Sequence, residues 1–186
     1  MSVFRCAAYL MPLLAGFGAA WALASTEGRP APRRLAILGA VLLVCLPFGR
    51  AGLVALSLAL LVAAAYLAAR ALRVPAGPAQ VVASLLPVAL YATLFLFAPV
   101  YDSTPRTDAD MGRRLTLALE LSPISTLAVS VFDDNFYHRP TFYRLDFAAY
   151  KHAPPSWTGT VAMYLTAAAA LGAIALGGFA LRKKAA

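Results

Sequence analysis

Two histidines, two cysteines and eight acidic side chains are the groups in this 186-residue chain able to ligate a transition metal or exchange protons near neutral pH. Asp133, Asp134 and His138 form the densest set. Two adjacent carboxylates and one histidine after a helix end read as loop polarity and caps rather than as a metal centre. His138 and His152 both lie in one polar segment, so no histidine sits within an apolar stretch to hold haem or a chlorophyll magnesium. Cys6 and Cys45 fall inside apolar runs, which suggests neither a disulfide framework nor a zinc site. No Gly-x-x-x-x-Gly-Lys-Ser/Thr run is present to cradle a nucleotide, and no serine or cysteine occupies a recognisable nucleophile turn. The expectation is therefore no catalytic residue, no metal and no cofactor. Glu120 is the group to follow, because it precedes the Ser122-Pro123 step inside an apolar neighbourhood. In lipid such a carboxylate demands a partner, whereas on an outer surface it simply faces solvent.

The elements that carry these residues are apolar to a degree that water does not support. Hydrophobic residues make up 61% of the chain and charged residues 13%, with a mean hydropathy of +0.73. The expected fold class is all-α: a single polytopic membrane helix bundle over residues 1–186, with about five transmembrane helices and a short extracytoplasmic helical hairpin. The expected spans lie near residues 6–24, 35–48, 53–69, 81–100 and 157–181. The second is short, and the stems of Arg33 and Arg34 extend it by snorkelling. Gly49-Arg50-Ala51-Gly52 implies a tight antiparallel hairpin between the second and third spans. Pro87 predicts a kink in the fourth. Ser156 after Pro154-Pro155 is a candidate N-cap for the fifth, which stops at Arg182-Lys183-Lys184.

The formal charge of +8 suggests nucleic acid only until the bases are placed. Ten of the sixteen flank apolar runs and act as topology signals, so no nucleic-acid partner is expected. Arg29, Arg33 and Arg34, then Arg70 and Arg73, then the basic tail all fall on one side of the predicted membrane. This predicts N-terminus out and C-terminus in, in what reads as a bacterial cytoplasmic membrane. Arg5, the apolar stretch after it and Ala22-Leu23-Ala24 also fit a cleaved signal peptide, but cleavage would leave the arginine-rich linker outside; retention of residues 1–24 as a span is the expectation.

The outer segment, residues 101–156, exceeds ordinary connections and so predicts function or internal structure. Asp108 to Leu121 has acids in its first turn like a helix, although Leu115, Leu117, Leu119 and Leu121 alternate like a strand. Ser122 as N-cap and Pro123 at the first helical position predict a second short helix, with Ile124, Leu127, Ala128 and Val131 on one face. Two short helices broken at Ser122-Pro123 fit either a re-entrant hairpin or an ordinary surface pair. Glu120, Ser122 and Pro123 are the candidate residues of that element. Beyond it, Phe136, Tyr137, Tyr143, Tyr150 and Trp157 are candidate partner or interface contacts, since such rings gather at membrane interfaces and docking surfaces; a sugar- or lipid-binding platform would use the same types. Ala169, Ala173 and Gly177, with Ala168 and Gly172, would let another helix approach closely, within the chain or from a partner.

A family resemblance follows from the order of these features. A span ending in Tyr66-Leu67-Ala68-Ala69-Arg70, a short basic link, a span ending near Ala98-Pro99, Leu121-Ser122-Pro123 opening a short outer helix, and a tryptophan before a last span with a basic tail resemble the C-terminal part of type-2 ABC exporter permeases. The resemblance covers residues 35–186. It implies re-entrant outer helices, a separate ATPase subunit as partner, and no ATPase activity in this chain. That family also has an inner coupling helix, whereas the inner linker here is about ten residues, Ser25 to Arg34. The alternative is a non-catalytic structural or accessory subunit of a larger membrane complex. Membrane lipid and other membrane subunits are expected partners on both readings.

Overall fold

With no water in hydrocarbon, a backbone must bond to itself, and the long uncharged stretches of this chain do so as helix. The computed structural model describes residues 3–25, 36, 39–41, 43–101, 108–133 and 153–185. Helix α1 spans Val3–Ser25, α2 Arg50–Ala71, α3 Ala76–Tyr101, α4 Asp108–Leu121, α5 Pro123–Thr126 and α6 Trp157–Ala185. A π-helical turn, Leu127–Val131, extends α5, and a 3₁₀ turn, Leu46–Phe48, closes a shorter apolar helix, Gly39–Phe48, ahead of α2. Among the described residues four helices are long and apolar enough to cross a membrane, or up to five if the bent α4/α5 pair counts as one span. The chain divides into two compact units, Met1–Val88 with Val161–Ala186, and Ala89–Thr160.

The first unit is built on close helix approach. Helix α1 buries Ala8, Met11, Ala15, Ala19 and Ala22, small residues but for Met11, at three- and four-residue spacing, and leaves Leu10, Leu14 and Trp21 exposed. Met11, Ala15 and Ala19 form one apolar cluster with Cys45, Ala55 and Ala59. Lipid gives no hydrophobic drive for helix pairing, so small residues that bring backbones together supply the packing. Phe4 and Phe48 stack at 5.1 Å over one end of this cluster. Farther along the chain, Ala68, Ala71 and Ala175 cluster with Leu171, joining α2 to α6.

The expected hairpin turn before α2 is tighter than the four residues that suggested it. Only Gly49 is non-helical there, with φ +55, and Arg50 already begins α2. Gly52 lies in the first turn of α2, where any Cβ would fall on the Cys45 carbonyl oxygen; glycine is needed for that approach. The run expected over 35–48 appears as the helix Gly39–Phe48, and its beginning lies outside the described residues. Helix α3 starts at Ala76, earlier than expected, and continues through Pro87 to Tyr101. The Pro87 ring is received by Gly16, where an added Cβ would come within 3.0 Å of Pro87 Cγ. Hydroxyls inside the apolar helices turn back onto their own backbone, Ser57 to Val54 O at 2.9 Å and Thr93 to Leu90 O at 2.6 Å, which removes their polarity from the helix surface.

Candidate functional site

The candidate site lies in the second unit, where α4 and α5 meet. Residues 108–121 are helical, which settles the ambiguity left by their alternating leucines. Segments Gly112–Leu121 and Pro123–Val131 are bent by 86° about Ser122, whose φ −85 and ψ 116 are extended. Proline explains the break: Pro123 has no N–H, so the Leu119 carbonyl four residues earlier loses its helical donor. Ser125 replaces it. Its Oγ lies 2.5 Å from Leu119 O and 2.9 Å from Ser122 O; Ser122 O already accepts from the Thr126 N–H, so the one Ser125 proton goes to Leu119 O. Ser125 is fully buried, where an unanswered carbonyl would be costly.

A second hydroxyl relay ties the bend to the first turn of α6. Thr160 Oγ1 lies 2.9 Å from Glu120 O and 2.7 Å from Thr126 Oγ1, and both threonines are fully buried. A carbonyl can only accept, so the single Thr160 proton goes to Glu120 O. Thr126 must then donate to Thr160. The order is Thr126 to Thr160 to the Glu120 carbonyl, joining α5, α6 and α4. Nearby, the Ala153 N–H donates to Thr116 Oγ1 at 3.2 Å, and Thr116 itself donates back to Gly112 O at 2.9 Å.

Ser156 caps α6 as its position before Trp157 suggests: the Gly159 N–H donates to Ser156 Oγ at 2.9 Å. The first turn of α6 carries no acid of its own. Glu120 supplies one from α4. A Cβ added at Gly159 would lie 3.1 Å from Glu120 Oε1 and 2.7 Å from Ser156 Oγ, so glycine leaves space for the half-buried carboxylate beside the positive end of the α6 dipole. Among the described residues, Glu120 thus meets a helix end rather than a basic side chain.

Ser122 occupies the N-cap position and Pro123 the first helical position of α5, but the expected cap bond is not made. Ser122 Oγ is buried and without a partner. The expected second amphipathic helix is also shortened. One α turn passes into a π turn in which the Phe132 N–H reaches Leu127 O at 3.0 Å, and Ser130 Oγ answers Thr126 O at 2.6 Å. Leu127 and Ala128 are buried, while Ile124 and Val131 are half-buried.

Trp157 begins α6 and is half-buried. Phe136, Tyr137, Tyr143 and Tyr150, with Asp134, His138 and His152, lie outside the described residues. Asp133 is exposed in a left-handed backbone, φ 51. No group of three metal-ligating side chains occurs among the described residues. Within α6, Ala169, Ala173 and Gly177 are exposed, and contact with α2 runs through Leu171, Ala175 and Gly178 instead. Ser125, Thr126 and Thr160 carry the site's hydrogen bonds, and sequence reasoning missed all three. Their one signal was hydroxyls at the rim of otherwise apolar helices. Comparison with protein-family models, with curated proteins and with solved structures finds no match.

Proposed function

We propose that this chain is a membrane-spanning, permease-like subunit of an ABC-type export system, resembling the C-terminal part of type-2 exporter permeases and relying on a separate ATPase. On this reading it crosses a bacterial cytoplasmic membrane about five times, with Gly39–Phe48 as the second span and the N-terminus out. The α4/α5 pair is its extracytoplasmic re-entrant hairpin. One observation carries the reading: a helix pair bent by 86° directly before the last apolar helix, with carbonyls at the bend answered by Ser125 and Thr160. A re-entrant element must satisfy its broken backbone within protein or a water-lined cavity, and these hydroxyls answer two of its carbonyls.

Purification in mild detergent tests it. A nucleotide-binding subunit should copurify and be lost after charge reversal at Arg33, Arg34, Arg70 and Arg73, the bases on the predicted inner side. A large complex lacking any ATPase would replace this reading with that of a non-catalytic accessory subunit. That second reading has its own support. Few residues of Ala76–Thr93 and Trp157–Arg182 are buried, whereas most of Arg50–Ala71 is buried. The small residues Ala169, Ala173 and Gly177 also face outward, where another subunit's helix would fit.

A further inference from the structure

In the first unit the C-terminal end of α2 meets the C-terminal part of α6. A helix C-terminus presents orphan carbonyls and partial negative charge, and here a guanidinium answers both. Arg182 Nη2 donates to Arg70 O at 2.7 Å and to Ala71 O at 2.9 Å, while its guanidinium carbon lies 5.7 Å from the centre of the Phe179 ring. Gly178 permits this approach, since a Cβ there would come within 2.9 Å of Ala71 Cβ. Arg70 Nη1 turns onward to Val74 O at 2.6 Å, which leaves two guanidinium groups beside one helix end.

Three more cations follow. Arg73 is exposed, in a left-handed backbone of φ 69, and Lys183 and Lys184 continue α6 directly after Arg182. Residues 67–80 and 171–186 contain these five bases and no acid. The carbonyl bonds of Arg182 offset only partial charge, so the end of the unit keeps a concentrated positive field. Hydrocarbon surrounds it: Leu72 is 68% exposed, Leu176 74% and Leu181 70%. A ligand that matches this surface must carry an anionic head for the guanidiniums and apolar chains for the leucines. Inorganic phosphate supplies only the first. An acidic protein segment would leave the leucines unmatched.

We infer that the α2/α6 crossing, with Arg73, Arg182, Lys183 and Lys184, is a binding site for an anionic phospholipid, its phosphodiester among the bases and its acyl chains along Leu72, Leu176 and Leu181. The inference requires only that α2 and α6 lie in a membrane, and it stands whether the chain is a permease or an accessory subunit.

The full chain is purified alone, equilibrated with an equimolar mixture of phosphatidylglycerol and phosphatidylcholine in detergent, and its retained lipid is counted by native mass spectrometry. Phosphatidylglycerol should be retained roughly tenfold over phosphatidylcholine. The triple variant Arg73→Gln, Lys183→Gln, Lys184→Gln should lose most of that preference while unfolding at the unchanged temperature, because the Arg182 bonds to α2 remain. Equal retention of the two lipids by the unaltered chain would overturn the site, as would an unchanged preference in the triple variant. Displacement of phosphatidylglycerol by millimolar inorganic phosphate would assign the bases to a free anion. Loss of the preference when an acidic protein subunit binds the same bases would assign them to that partner.

Discussion

A carbonyl stranded in an apolar interior costs several kcal/mol, so a proline that removes a helical donor must be answered by another group. At Ser122-Pro123 the answers are single hydroxyls, and their order makes unequal predictions. Thr160→Val strands both the Thr126 hydroxyl and the Glu120 carbonyl and should cost about 2–3 kcal/mol in equilibrium unfolding in mixed micelles. Thr126→Val removes one donor and leaves Thr160 still bonded to Glu120 O, so its cost should be about 1 kcal/mol. Equal losses would refute the proton order. The serines invert their sequence reading in the same assay. Ser125→Ala should cost about 1–2 kcal/mol by leaving Leu119 O unanswered, whereas Ser122→Ala should change stability by less than about 0.5 kcal/mol, because its hydroxyl makes no bond. A larger loss at Ser122 would mean that its hydroxyl caps α5 after all.

Among the elements, α6 distinguishes what a sequence reveals from what it conceals. Its adjacent glycines stand in opposite surroundings: Gly178 abuts Ala71, and Gly177 has nothing within 4 Å. Gly178→Leu should therefore separate α6 from α2 at about 1–3 kcal/mol, while Gly177→Leu should be nearly silent in the isolated chain; thermal unfolding of both variants in detergent provides the comparison. Comparable destabilisation by the two would mean that α6 packs through another face. The start of α6 was legible because a cap is local: Ser156 lies three residues before the N–H it accepts. The first, third, fourth and last apolar helices were legible because each carries an apolar stretch long enough to cross a membrane. The packing face of α6 was not, since alanine and glycine occur all around it and no polar side marks the opposite one. The Thr126 and Thr160 pair was hidden for a different reason. The two hydroxyls are 34 residues apart, and each alone reads as a hydroxyl bonded back onto its own helix.

For the whole chain, the decisive question is how many helices cross the membrane, and charge and length bear on it in opposite directions. Among the described residues four helices have the length to cross, while Gly39–Phe48, ten residues at 1.5 Å each, falls well short of a hydrocarbon core of about 30 Å. Yet if that helix did not cross, α2 would run from the inner side outward and carry Arg70 and Arg73 to the outside. The N- and C-termini would then also share one side. The positive-inside rule weighs against this, because Arg29, Arg33 and Arg34, Arg70 and Arg73, and Arg182 to Lys184 fall on one side only if the short helix crosses too. Read from the sequence, the apolar residues from Leu35 and the stems of Arg33 and Arg34 would extend it. Topology reporters separate the two arrangements. One inserted between Val74 and Ala76 and one fused after Ala186 should both be cytoplasmic, and one near Asp108 should be external. A reporter in the linker between Thr26 and Arg29 should be cytoplasmic as well: a linker reporter on the side opposite to Val74 would remove the short helix from the membrane, whereas linker, Val74 and Ala186 all external would reverse the whole orientation.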